Sequence, residues 1–377
     1  MIIDGHNYCV PQLDAAQGYD TAERKLRTVH VEFGGHHQPV WRVRDRAPAG
    51  NETLVDPDTG ELRDVQWTRH LGRLAWTYRG ETYTKQYLPP MLSNLEFTPE
   101  VLIAEMDYVG VDMGLLHTFP TLGRYDFLNK YLRDAVKRFP DRLMRLISVR
   151  EASIPGDPDN TIQAVEEEVK ADRRTGLQFI PGFYYNPTDG ESEGNEEPWD
   201  HGAMRPFWEA VASMKIPVFF TLIGGHRGAE FQRSWQEAYL KQQDILIRWM
   251  ERYPDVTTVI THGLPWRPFL DGDRIRFPEA IWDVFKSPQC HLQLLIPIQM
   301  GGAWEYPWQE AEPTIRECVE RIGADRLMWG TDIPMVARFC TYRQTLDQFR
   351  THCDFLSDSE REAILGGTTA RVIGVEI

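Results

Sequence analysis

"MIIDGHNYCVPQ" occupies residues 1–12, and its reading decides the fold. Met1, Ile2 and Ile3 are apolar; the run then stops on Asp4, Gly5 and His6, followed by Asn7 and Tyr8. A short apolar run ending on an acid and an imidazole fits a buried strand that delivers polar groups to a pocket. Two later stretches have the same form, "TVITHG" (258–263) and "LMWGTD" (327–332). Three such stops make chance placement a poor explanation for the group, although a single strand-end histidine is more often a hydrogen-bonded core or rim residue.

The chain between these stops alternates apolar strand-like runs with amphipathic helical segments. After the N-terminal run, strands are expected at 113–119, 143–150, 176–185, 216–225, 256–263, 290–297 and 326–332. Helical patterns such as "EVLIAEMDYVG" (100–110), "YDFLNKYLRDAVKRFP" (125–140) and "WQEAYLKQQDILIRWMERYP" (235–254) separate them. Thr98-Pro99-Glu100 is a helix start, with an N-cap residue, proline in the first turn and an early acid. Eight βα units predict an α/β protein with a (β/α)8 barrel of the TIM type. No glycine-rich phosphate loop follows any strand, which counts against a doubly wound dinucleotide fold.

One domain is expected over 1–377, interrupted by a β-rich insertion at 12–95 after the first strand. Within it "RTVHVEF" (27–33), "PVWRVRD" (39–45) and "LAWTYRGETYTKQYL" (74–88) alternate as hairpin strands do, and "PDTGE" (57–61) suits a turn. A long first βα loop emerges at the active-site face of a barrel, so the insertion is expected to be a lid or a subunit interface. The acidic loop "NPTDGESEGNEEPWD" (186–200) emerges on the same side.

A net charge of −15 argues against nucleic-acid or anionic-membrane partners. Five scattered cysteines without a CxxC pair exclude a disulfide framework. Neither a signal peptide nor a membrane-spanning run is expected from the pattern of residues, and a cytoplasmic enzyme acting on a small molecule is the expectation.

In a barrel the chemistry sits at the strands' C-terminal ends. The residues singled out there are Asp4, His6 and Tyr8, then His117, Arg150, Glu151, Tyr184, Tyr185, Thr221, His262, Gln299 and Asp332. Converging His6, His262 and Asp332 suit two chemistries: holding a divalent cation with an open position, or a metal-free His–Asp general base acting on water. Arg150 and Arg227 are candidate holders of a substrate anion, though an ordinary surface ion pair is the better explanation of each. His36 and His37 are adjacent, so on a strand they face opposite ways and are assigned to the surface or lid.

These stops resemble the signature of the amidohydrolase superfamily, in the amidohydrolase-2 branch that includes aminocarboxymuconate-semialdehyde, resorcylate and carboxyvanillate decarboxylases. The resemblance is carried by "IDGHNYCVP" (3–11), "MDYVGVDMGLL" (106–116), "THGLP" (261–265), "WGTDIP" (329–334) and "ILGGTTARVIG" (364–374). It implies a homodimer or homotetramer. It also implies that His6 matches a strand-one metal ligand, Asp332 the strand-eight carboxylate and His262 the strand-six histidine. Two positions depart: Tyr8 stands where the family has a second strand-one histidine, and Thr221 where strand five ends in one. Neither neutral side chain is a good ligand for a borderline cation.

On this reading His6, Asp332, His262 and Asp4 are the candidate ligands of one Zn²⁺ or Mn²⁺, and the two departures favour metal-free chemistry. The expected activity is hydrolytic, with Asp332, His262 and His6 as catalytic groups and Tyr8, Thr221, His117, Arg150 and Arg227 as substrate-binding groups. Water attacks an electron-poor carbon of a small aromatic or cyclic substrate: an amide, an ester or a ring carbon bearing a leaving group. This would fit a role in aromatic-compound catabolism. The alternatives are a metal-dependent non-oxidative decarboxylase of an aromatic or muconate-type acid and a non-catalytic binding barrel.

Overall fold

The computed structural model describes residues 1–34, 38–55, 63–68, 73–86, 88–92, 94–188, 192–222 and 235–376. Eight strands form one parallel sheet: β1 (Ile3–Asn7), β2 (Met113–Leu116), β3 (Leu143–Ser148), β4 (Thr175–Phe179), β5 (Val218–Phe220), β6 (Thr258–Ile260), β7 (Cys290–Leu294) and β8 (Leu327–Trp329). Each pairs with the next in chain order, as βα units require. The ends of β8 and β1 meet as well: Asn7 pairs in parallel with Ile333, the Tyr8 N–H donates to the Ile333 carbonyl at 2.9 Å, and the Asp332 N–H to that of His6 at 2.8 Å. That contact closes the barrel and brings the first and last polar stops together.

Side chains alternate along each strand, so the barrel interior is built in layers. Ile3, Leu115, Leu146, Phe219, Val259 and Met328 form an apolar layer, joined by Ala370 and Ile373 of the C-terminal helix Thr368–Ile373. Two residues further on, the interior turns polar: His117 follows Leu115, Thr221 follows Phe219 and Thr261 follows Val259. The functional layer is thus the next pleat above a dry core.

The helix Pro99–Val109 starts at Thr98, whose hydroxyl accepts from the Val101 N–H, and stops at Gly110 in the left-handed conformation (φ 84°). Both ends obey their local signals. Two other expectations need correction. Strand four stops before Pro181, and Pro181–Tyr185 is a short helix that buries Tyr184 and Tyr185 rather than aiming them at the barrel mouth. "RTVHVEF" lies in the helix Ala22–Gly34, where buried Lys25, Thr28 and Val29 share one face. The spacing i, i+3, i+4 of that face outweighs the β-branched content of the segment.

The rest of the insertion is a five-stranded antiparallel sheet, ordered Pro48–Ala49, Val40–Arg42, Glu81–Gln86, Arg73–Tyr78, Val65–Thr68. Arg79 and Gly80, both at positive φ (51° and 77°), make the tight turn between two of its strands. Val40, Val65, Leu74 and Trp76 are buried and continuous with the main core, so Trp76 is used in packing. The turn expected at 57–61, His36 and His37, and Arg227 all lie outside the described residues. Among the described residues no helix is long and apolar enough to cross a membrane.

Candidate active site

Gln293, on β7, organises the centre of the polar layer and is fully buried. Its Nε2 donates to the Gly5 carbonyl at 2.7 Å, which fixes the amide's orientation because a carbonyl only accepts. Its Oε1 therefore faces His6 Nδ1 at 2.8 Å and the His262 backbone N–H at 3.3 Å. His6 must carry its proton on Nδ1, which leaves Nε2 as a bare lone pair. That lone pair accepts from the Tyr8 hydroxyl at 2.8 Å. It also lies 3.5 Å from Asp332 Oδ1.

The same Asp332 oxygen lies 3.5 Å from His262 Nε2. One ring nitrogen each of His6 and His262 and an Asp332 oxygen all fall within 4.8 Å of one another. The three stops singled out in the sequence thus converge. His262 (φ 59°) and Asp332 (φ 65°) both have left-handed backbones, uncommon for residues other than glycine and a conformation that recurs at functional sites. Gly330 lets the chain bearing Asp332 approach β1, since a Cβ there would stand 2.8 Å from that of His6. Gln299 braces the loop after His262, donating to the His262 carbonyl and accepting from the Trp266 N–H at 3.0 Å.

Other candidates take different places. His117 is buried beneath the trio, its ring stacked on that of His6 at 3.6 Å and 14°, with Nε2 donating to the Gly5 carbonyl at 3.1 Å. It supports His6 and does not line the mouth. Thr221 reaches Thr261 at 2.6 Å between hydroxyls, and Thr261 lies 3.5 Å from His262 Nδ1, so Thr221 stands behind His262. Arg150 is the N-cap residue of the short turn Glu151–Gly156 that follows strand three. Glu151 is buried as an acceptor for the Tyr125 hydroxyl and the Ile180 N–H.

Asp4 drops out of the ligand set. Its carboxylate accepts from the Thr331 hydroxyl at 2.6 Å, the Tyr342 hydroxyl at 2.9 Å and the His6 N–H at 3.0 Å. The register of β1 with β2 shifts between Asp4 and Asn7, so two residues of equal parity have their partners in different directions. Burial pushes the Asp4 carboxyl up to about 6, against these hydrogen bonds.

Burial, reinforced by the neighbouring His117 and His262, holds His6 well below its ordinary value; burial and then His262 do the same for His117. Both rings are neutral at pH 7 in the folded and unfolded chain. Below about 6.5 only the unfolded chain takes up those two protons, so folding stability falls with pH. Asp4 opposes this, because below about 6 the folded chain takes up its one proton first. Two protons outweigh one, and these groups are expected to cost ~1.4 kcal/mol per pH unit between about pH 6 and pH 4. Thermal melts across that range check it; a midpoint that rises on acidification contradicts it.

Two imidazoles, one of them held neutral, and a carboxylate suit a borderline divalent cation. His6 has the second hydrogen bond to Nδ1 that ligating histidines usually have. The preference for metal-free chemistry, drawn from Tyr8 and Thr221, is not supported, because three donors converge without either.

A (β/α)8 barrel with His, His and Asp at its strand ends is the arrangement expected of an amidohydrolase-type enzyme. The family model described as amidohydrolase matches residues 83–375, and the chain belongs to that family of enzymes. No curated relative matches it by sequence. Three of the solved structures that share the fold are enzymes of small aromatic or pyrone acids. The 5-carboxyvanillate decarboxylase of Sphingomonas paucimobilis is 18% identical, with 76% of this chain and 86% of that one covered and a TM-score of 0.54. A dihydroxybenzoic acid decarboxylase of a Polaromonas species, holding manganese and 2-nitroresorcinol, is 17% identical over 76% and 89%, also at 0.54. A putative 2-pyrone-4,6-dicarboxylic acid hydrolase of Pseudomonas putida is 17% identical over 77% and 90%, at 0.53.

Gln293 is the functional residue that sequence reading missed. Its signal was present: in "CHLQLL" (290–295) His291 and Gln293 alternate with Leu292 and Leu294, and a polar face on a barrel strand points inward.

Proposed function

We propose that this enzyme is a cation-dependent hydrolase of a small cyclic or aromatic substrate. The observation that carries the reading is the single Asp332 oxygen shared between His6 Nε2 and His262 Nε2 at 3.5 Å each. His6, His262 and Asp332 would hold one Zn²⁺ or Mn²⁺. A cation so bound acidifies water and polarises a carbonyl.

The chain's own groups do the rest. Asp332 accepts the proton of the attacking water, a role suited to a carboxylate set between two imidazoles. Gln293 keeps His6 in the Nδ1–H form, so that Nε2 faces the reaction. The Tyr8 hydroxyl donates to negative charge growing on the substrate oxygen. His262, about a fifth exposed, is the most open of the trio and marks the side from which substrate enters.

The test is turnover in isotopically labelled water by cation-loaded protein, over a panel of lactones, esters, amides and carboxylated aromatic rings. Labelled oxygen is expected in the product. Release of carbon dioxide with no label incorporated replaces hydrolysis with decarboxylation, the chemistry named for two of the three fold neighbours.

A further inference from the structure

The lone pair that a cation needs on His6 is already in use. Gln293 fixes the proton on Nδ1, so Nε2 is the acceptor of its 2.8 Å contact with Tyr8, and the hydroxyl hydrogen lies between them. Nε2 is also the atom that lies 3.5 Å from the Asp332 oxygen which His262 Nε2 approaches at the same distance. A donor atom cannot serve a hydroxyl hydrogen and a cation together.

We propose that Tyr8 is a competitor for the cation site: its hydroxyl caps His6 Nε2 in the unloaded protein and must release it on loading, which weakens and regulates cation binding. This rests on the cation site proposed above. The hydroxyl is well placed to compete. Tyr8 is 3% exposed, with its ring edge-on to His6 at 5.3 Å and to Phe119 at 5.3 Å, so packing holds the phenol beside the imidazole. Two residues along β1, it leaves the strand near the donor it caps, so the competition is built into the strand.

Release of Nε2 has a second consequence. On leaving Nε2 the hydroxyl can turn to the substrate oxygen, which links loading of the site to arming of its hydrogen-bond donor. A residue with a purely structural role would not produce that link. Removing the hydroxyl should therefore separate two properties that ordinarily fall together, with tighter cation binding alongside slower turnover.

The experiment is calorimetric titration of the full chain with Zn²⁺ and with Mn²⁺, comparing wild type, Tyr8→Phe and Asp332→Asn, each checked for folding by its melting transition. Tyr8→Phe is expected to tighten binding about three- to tenfold, the equivalent of one net hydrogen bond. Absorption spectra of the wild type should show no tyrosinate band on loading. Unchanged or weaker binding by Tyr8→Phe overturns the competition, as does a tyrosinate band, which would make Tyr8 a ligand. Those failures leave the cation site standing if Asp332→Asn loses it. Absence of saturable binding in both wild type and Tyr8→Phe removes the site and the competition together.

Discussion

Asp332→Asn is expected to lower kcat by roughly 10²- to 10⁴-fold, the usual worth of a positioned general base, while the protein stays folded. Asparagine is the appropriate replacement. Asp332 has a left-handed backbone at φ 65°, which asparagine tolerates, whereas alanine adds strain of about 1 kcal/mol and confuses the readout. The amide keeps the volume and an oxygen but loses the charge and the ability to take a proton. Cation affinity should fall as well. Groups that merely orient a ligand are worth about 10- to 100-fold, so loss of a charged ligand is expected to cost at least as much. Stability should hold or rise, because a carboxylate beside two imidazoles serves the chemistry rather than the fold. Steady-state kinetics, titration calorimetry and a melt measure the three quantities. Turnover within tenfold of wild type would remove Asp332 from the reaction.

The barrel was legible because an apolar run marks each strand, and because helix and strand periods differ. His6, His262 and Asp332 could be seen for the same reason, each being the polar stop of an apolar run. What stayed hidden came from interactions between distant strands. Asp4 and His6 have equal parity on one strand, and only the register shift between Asp4 and Asn7 sends one to Thr331 and Tyr342 and the other to the trio. His117 looks like a strand-end group in sequence, yet stacking on His6 buries it. Residues 27–33 alternate as a hairpin strand does, yet the face buried by Lys25, Thr28 and Val29 makes them part of helix Ala22–Gly34. The apolar content of 176–185 reads as one strand, but Pro181 opens a helical turn.

Gln293→Leu is expected to be the most damaging change away from the ligands themselves, costing about 2–4 kcal/mol of stability. Leucine fills the space but strands two donors, the buried His6 Nδ1–H and the half-buried His262 N–H. The Gly5 carbonyl loses less, since His117 Nε2 still donates to it. The larger consequence is chemical. Without an acceptor at Nδ1, nothing holds the proton there, and the His6 tautomer with Nε2–H turns a donor hydrogen toward the cation site. Cation affinity should therefore drop about 10- to 100-fold, with turnover following it. Gln293→Glu separates the two effects. It keeps an oxygen facing His6 Nδ1 and so should preserve the tautomer, but it sets a second carboxylate oxygen against the Gly5 carbonyl and loses stability. Titration calorimetry with melts, and nitrogen NMR of the His6 ring, distinguish the variants. If Gln293→Leu binds the cation as wild type does, the tautomer is fixed by something other than this amide.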